Sequence, residues 1–402
     1  MLQSQRIWRT VAIATVAATA LAACSSSKSS SSSSSASSAS GGAKCTNVSI
    51  GFFGSLTGPN SPNLGINENN GVKLAIAQFN AANPNCQVKA VEYDSQGDPA
   101  QAPALATKAA GDSSVVGIVG PAFSGESKAA DPTFNDAGLP TITASATNPT
   151  LSQNSWKIFH RAVGNDDAQG PAIASYITND VKSTKVAVIN DESAYGQGLA
   201  GIVKNKLGSA VVAQDTINSK GTDFSSTVTK VQSSGATAVF YGGYYQAAGV
   251  LAKQLKDAGV NAAFVSDDGT EDQGFVTAAG NTAATGAVAT APAAPISTVP
   301  NGAAFVTAYQ SAYNSAPGLY SAEAYDAANI FLQAITAGDT TRSAIENYLT
   351  TVDYKGLTKT YKFDSNGELA GSVTVYAYQV KTDASCPSAS APCFVGLKAV
   401  SG

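Results

Sequence analysis

Three loops carry side chains suited to gripping a small zwitterion. The first, Gly120-Pro121-Ala122-Phe123-Ser124-Gly125, follows a Val/Ile-rich run and precedes a helical pattern. Ser124 at that helix start caps it and offers a hydroxyl, and the free N–H groups beside it favour a carboxylate. The second is Thr143-Ala144-Ser145-Ala146-Thr147, again after an apolar run. The third, Asp267-Asp268-Gly269-Thr270-Glu271-Asp272, holds acids that neutralise an ammonium group. All three stand where strands are expected to end, the place where open α/β sheets bind ligands. Tyr195 and the run Tyr241-Gly242-Gly243-Tyr244-Tyr245 offer an aromatic wall beside them. The plainer readings are helix caps for the hydroxyls and core packing for the rings.

Other chemistries fare worse. Gly196-Gln197-Gly198-Leu199-Ala200-Gly201 matches G-x-G-x-x-G, and Asp215 follows near where a ribose-binding acid would stand. A dinucleotide site needs its first glycine at the strand end, under the pyrophosphate. Here Asp191-Glu192-Ser193-Ala194-Tyr195 intervenes, with two carboxylates where the ligand is anionic. These glycines are read instead as allowing a tight helix entry and close packing. No G-x-S-x-G is present, and His160 is the single histidine of the chain. A His-rich metal centre and any chemistry with two imidazoles are therefore excluded, and no cofactor is implied. The two Trp, Trp8 and Trp156, give little surface for sugar stacking. A net charge of −4, with 24 basic against 28 acidic residues, argues against a nucleic-acid partner.

The elements that must position these loops alternate along the chain. Strands are expected at 47–53, 87–93, 115–119, 140–143, 185–190, 210–217, 237–241, 262–266 and 286–291. Helical periodicity fills most gaps, as over 70–82, 100–110, 198–207 and 245–258. Such alternation means parallel sheets flanked by helices, and the Val/Ile-rich strands suit sheets covered on both faces. Nine strands exceed one comfortable sheet, so two lobes are expected in a chain of 402 residues. Asn366-Gly367, between the β-rich runs 357–363 and 369–380, reads as a hairpin turn.

The first 23 residues resemble a secretory leader: Arg6 and Arg9 precede an apolar run too short to span a membrane. It ends Leu21-Ala22-Ala23-Cys24, which resembles the lipobox of bacterial lipoproteins and implies lipidation at Cys24. Residues 24–44 are then a Ser-rich tether. In an exported chain the four remaining Cys are expected to form disulfides. Cys45 and Cys86 each precede a strand and can meet at one sheet edge. Cys386 and Cys393 bracket Pro387 and Pro392 in a short loop.

A series of stretches runs in order along residues 46–380: Ile50-Gly51-Phe52-Phe53 with Leu56-Thr57-Gly58-Pro59, Tyr93 to Pro99, Gly120 to Gly125, and Ala137 to Pro140 with Ser145-Ala146-Thr147. Asp191 with Tyr195 to Gly198, Tyr241 to Tyr244, Asp268-Gly269, and Phe363-Asp364 with Asn366-Gly367 follow. In these stretches the chain resembles the leucine/isoleucine/valine-binding protein family, the type I solute-binding proteins of ABC importers. The resemblance implies two α/β lobes joined by three crossovers: 45–164 plus 293–355 as lobe I, 165–292 plus 356–385 as lobe II, and 386–402 as a disulfide loop and tail. It implies no enzyme. A small amino acid, of branched-chain type, would lie between the lobes and pass to an ABC permease. Ser124, the Phe123 backbone and Thr147 would meet its carboxylate, the Ser145 carbonyl and Asp268 its ammonium, with Tyr195 and Tyr244 from lobe II. Asp268 stands where the family carries Glu, a methylene shallower, and Phe123 replaces a Ser. An amide, urea or aromatic acid as ligand, or a sensor role, are the alternatives. A monomer, anchored by lipid at the outer face of the cytoplasmic membrane, is expected.

Overall fold

The computed structural model describes residues 45–58, 62–388 and 390–402. Cys24, the leader and the tether to residue 44 lie outside them. The first sheet is built from β1 (Cys45–Gly54), β2 (Cys86–Asp94), β3 (Val115–Val119), β4 (Thr141–Thr143) and β5 (Phe159–Arg161). Helices α1 (Pro62–Ala82), α2 (Ala102–Gly111) and α3 (Ser124–Asp136) connect them. All five strands are parallel, in the order β2-β1-β3-β4-β5. Every residue of β3, Val-Val-Gly-Ile-Val, is buried, as a strand covered on both faces requires.

The chain then crosses to a second sheet through α4 (Asp166–Asn179). It lays down β6 (Val186–Asn190), α5 (Ala194–Leu207), β7 (Val211–Thr216), α6 (Ser225–Ser234), β8 (Ala238–Gly242) and α7 (Tyr245–Asp257). Next come β9 (Ala263–Val265), α8 (Gln273–Ala279), α9 (Asn281–Ala284) and β10 (Val288–Ala291). The order β7-β6-β8-β9-β10, all parallel, repeats that of the first sheet. A second crossing returns the chain to α10 (Gly302–Tyr313), α11 (Ser321–Ala337) and α12 (Arg342–Leu349), the last two packed on β3. At Gly71 of α1, a Cβ would stand 2.1 Å from the Ser321 carbonyl oxygen, so only glycine lets α1 and α11 approach this closely. After the short pair β11 (Tyr354–Lys355) and β12 (Thr360–Tyr361), a third crossing leads to β13 (Val375–Lys381) and β14 (Cys393–Val400). These extend the second sheet antiparallel beyond β10. Two lobes with one shared strand order, joined by three crossings, are the result.

All nine segments expected as strands are strands. Three expectations are corrected. Residues 386–402 are not a loop and tail: the disulfide Cys386–Cys393 closes a turn, and the chain then pairs along β13 as β14. The expected hairpin pairs only beside its Asn366-Gly367 turn, where the Asp364 N–H donates to the Glu368 carbonyl at 2.9 Å, the Ala370 N–H to the Lys362 carbonyl at 2.8 Å, and Phe363 bridges Leu369. The rest of the second run does not pair with the first, because β13 is taken by β10 and β14. The chain also does not join the second lobe at residue 356. The Asp326 carboxylate on α11 accepts from the Leu357 and Thr358 N–H groups and from the Thr358 and Tyr361 hydroxyls, which holds this stretch on the first lobe. The other disulfide joins Cys45 to Cys86, register partners on β1 and β2.

The Gly196–Gly201 motif lies inside α5, which begins at Ala194. A Cβ at Gly196 would sit 2.5 Å from the Gly242 carbonyl oxygen, and one at Gly198 2.6 Å from Asn148 Nδ2. The glycines let α5 pack against β8 and against the first lobe.

Candidate functional site

A narrow cavity of about 20 Å³ lies between the lobes, at the C-terminal ends of the parallel strands. That is room for about one water, far below the ~300–1,000 Å³ of open small-molecule sites, so the lobes stand closed on the residues that line it. From the first lobe it is lined by Leu64 and Glu68 on α1, Ala122, Phe123 and Ser124 at the β3–α3 turn, Ser145 after β4, and Tyr320 just before α11. From the second come Tyr195 on α5, Tyr244 after β8, and Asp268 and Gly269 after β9. Six of the seven expected ligand residues therefore meet in one space.

The seventh, Thr147, does not line it. Its side chain is fully buried beside the Asp166 carboxyl at the first crossing. The Phe123 N–H is not free for a carboxylate either. It donates to Glu126 Oε2 at 3.3 Å, which closes the first turn of α3 on itself.

The hydroxyls are held by the loops around them. Ser145 Oγ donates to the Ala122 carbonyl at 2.6 Å. Ser124 Oγ accepts from the Asn148 N–H at 3.3 Å, which leaves its own proton to give. Asp268 is 4% exposed and fixed from both lobes: Tyr195 OH donates to Oδ1 at 2.5 Å and Tyr320 OH to Oδ2 at 3.0 Å. Burial pushes the Asp268 carboxyl up, and these phenols act against that push. Burial also drives the Tyr195, Tyr244 and Tyr320 phenols well above their ordinary range, so they remain neutral donors. Asp267 accepts from Gly243 N–H at 2.8 Å and Asp191 from Tyr244 N–H at 2.9 Å, which sets the β8 loop. The Tyr244 ring meets Phe123 edge-on at 5.0 Å and Tyr195 at 5.5 Å, forming one aromatic wall across the two lobes. No basic side chain lines the cavity, whereas two carboxyls do.

Leu64, Glu68 and Tyr320 escaped the reading of the sequence. Glu68 lies in the first turns of a long helix, where an acid reads as solvated surface. Tyr320 adopts φ 63° at the start of α11, a left-handed conformation unusual for tyrosine, and nothing local announces it.

A two-lobed α/β body with a cleft at the strand ends, lined from both sides, is the architecture of a solute-binding protein. The chain belongs to the periplasmic binding protein family, whose profile matches residues 47–385. It is 30% identical over 338 residues to the leucine-, isoleucine-, valine-, threonine-, and alanine-binding protein of Pseudomonas aeruginosa, covering 82% of this chain and 90% of that one. It is 33% identical over 256 residues to the leucine-specific-binding protein of Salmonella typhimurium, covering 62% and 69%. Among solved structures it resembles the branched-chain amino acid transporter substrate-binding protein LivJ from Streptococcus pneumoniae, in complex with isoleucine. The TM-score is 0.78 at 27% identity, covering 87% of this chain and 99% of that one. Members of the family are extracytoplasmic substrate-binding proteins of ABC transporters and not enzymes. No helix among the described residues is long and apolar enough to cross a membrane.

Proposed function

We propose that this protein captures an α-amino acid of branched-chain size between its lobes and hands it to an ABC permease. The observation that carries the reading is Asp268. It is a buried carboxyl held by Tyr195 and Tyr320 in a cavity without a basic side chain, with the Ser124 hydroxyl among its walls. An ammonium group supplies the missing positive charge, and a carboxylate takes the Ser124 proton. The names of the relatives in Pseudomonas and Salmonella and the isoleucine held by the pneumococcal protein support the same ligand class. Closing both lobes on one ligand couples binding to a conformation that a permease can read. The protein works as a monomer tethered through lipidated Cys24 at the outer face of the cytoplasmic membrane; Cys24→Ser then moves it to the soluble fraction.

Calorimetric titration with Leu, Ile and Val tests the ligand. Asp268→Ala removes a charge-assisted contact of ~1.5–3 kcal/mol and weakens binding about ten- to hundredfold. An unchanged dissociation constant in a variant that folds overturns the assignment of the ammonium site. Binding of only an amide, urea or aromatic acid overturns the amino-acid reading.

A further inference from the structure

Glu68 is the one lining carboxyl that the amino-acid reading leaves without work. Its residue is 1% exposed, and its Oε2 has no hydrogen-bond partner. The α1–α11 contact at Gly71 fixes the helix that carries it. The Ser145 hydroxyl faces the carboxyl, but the Ser145 proton already goes to the Ala122 carbonyl. A buried polar atom without a partner costs ~1–3 kcal/mol, so a wall that keeps one is built for something that enters the cavity.

We propose that Glu68 is a ligand-contacting, specificity-determining residue whose free carboxyl oxygen pairs with a hydroxyl or carboxamide on the ligand's side chain. This rests on the amino-acid reading above and narrows it: among amino acids of branched-chain size, the site prefers those with a short polar tip over purely aliphatic ones. Asp268 serves the ammonium and takes the Tyr195 and Tyr320 protons, the Ser145 proton goes to Ala122, and Leu64, Ala122 and Phe123 present carbon. Glu68 and the Tyr244 hydroxyl are left to read the side chain, and of the two Glu68 holds the buried atom without a partner. The charged groups facing it are Glu126 on α3 and Glu323 on α11, both acids. Burial, with these acids beside it, pushes the Glu68 carboxyl well above the usual carboxylate range and so favours its protonated form. A protonated carboxyl both donates and accepts, as do a hydroxyl and a carboxamide, whereas a methyl does neither.

Pairs of near-identical shape test this on the purified full-length protein. Calorimetry compares Thr with Val, and Asn with Leu. The wild type is expected to bind the polar member of each pair about tenfold or more tighter, because the aliphatic member leaves the carboxyl unpaired. Glu68→Gln keeps a donor and an acceptor and retains the preference. Glu68→Leu abolishes or inverts it. Val bound as well as Thr by the wild type overturns the proposal, and this comparison needs no variant to fold. A preference that survives in Glu68→Leu also overturns it. Failure of the wild type to bind any amino acid removes the functional reading itself, a result distinct from Val matching Thr.

Discussion

The single imidazole of the chain shows how far a residue's role depends on what covers it. His160 sits in β5, with Nδ1 3.3 Å from the Ile158 carbonyl and its ring 4.8 Å from that of Phe363. Burial lowers its pKa from 6.5 to about 4. Glu346 approaches Nε2 at 3.9 Å, but burial raises that carboxyl to about 7, so in acid it is neutral and draws no proton to the ring. The folded state thus refuses a proton that the unfolded chain accepts. As pH falls from about 6.5 to about 4, stability is lost, at up to ~1.4 kcal/mol per pH unit, and the loss levels off below the folded value. Denaturant unfolding of the wild type and His160→Asn at pH ~7 and pH ~4 isolates this share from the other titrating groups. The wild type should lose on the order of 3 kcal/mol more than the variant; parallel losses would mean that His160 is protonated in the fold. Phe159 and Arg161, its neighbours in β5, are buried with it. Ser124, Ser145, Tyr195, Tyr244 and Asp268 were legible from the sequence: each directly follows or closely trails an apolar strand, and strand ends converge in this fold class. Glu68 and Tyr320 were not, because their position comes from the packing of α1 on α11, which lies outside any local pattern.

At the scale of elements, strand identity was readable because the runs are apolar over the length of a strand and bounded by turn residues. β14 was missed because Cys393 to Val400 follows a Pro- and Ser-rich turn and is largely exposed along its length. The helix α5 carries the most instructive ambiguity. Its glycines fit a phosphate-binding fingerprint by spacing, yet their surroundings differ one by one. Gly198 faces Asn148, whose Nδ2 donates across the lobes to the Ala194 carbonyl at 2.7 Å and whose Oδ1 is held by Thr150. Gly201 faces open space. Gly201→Ala should therefore stabilise the protein by up to ~1 kcal/mol, the helix-propensity gain. Gly198→Ala displaces Asn148, breaks the contact with Ala194 and favours the open arrangement. Small-angle scattering with saturating and limiting ligand should show a larger radius, and binding should weaken. Equal effects of the two substitutions would mean that α5 does not brace the closed lobes through Gly198.

The whole molecule repeats one strand order twice, and so the crossings between the copies decide how the lobes move. Arg161 ends β5 at the first crossing and is fully buried. Its Nε and Nη2 donate to the two oxygens of Glu368, on the stretch leading to the third crossing, at 3.1 and 2.9 Å. The same guanidinium donates to the carbonyls of Ala146 and Asn148, the loop that holds Ser145 and Thr147. One side chain thus ties two crossings to a wall of the ligand cavity, and only a planar fork with several donors can do so. Arg161→Met fills similar space but leaves the Glu368 carboxylate and two carbonyls without donors. Breaking a buried pair in this way costs ~3–5 kcal/mol, and urea unfolding should show it. Arg161→Lys restores a charge without the fork and should recover only part of the loss. Ligand affinity should fall in both variants, since the Ala146–Asn148 loop is no longer pinned. A stability loss below ~1 kcal/mol in Arg161→Met, within the range of surface pairs, would show that the crossings hold their geometry without this link.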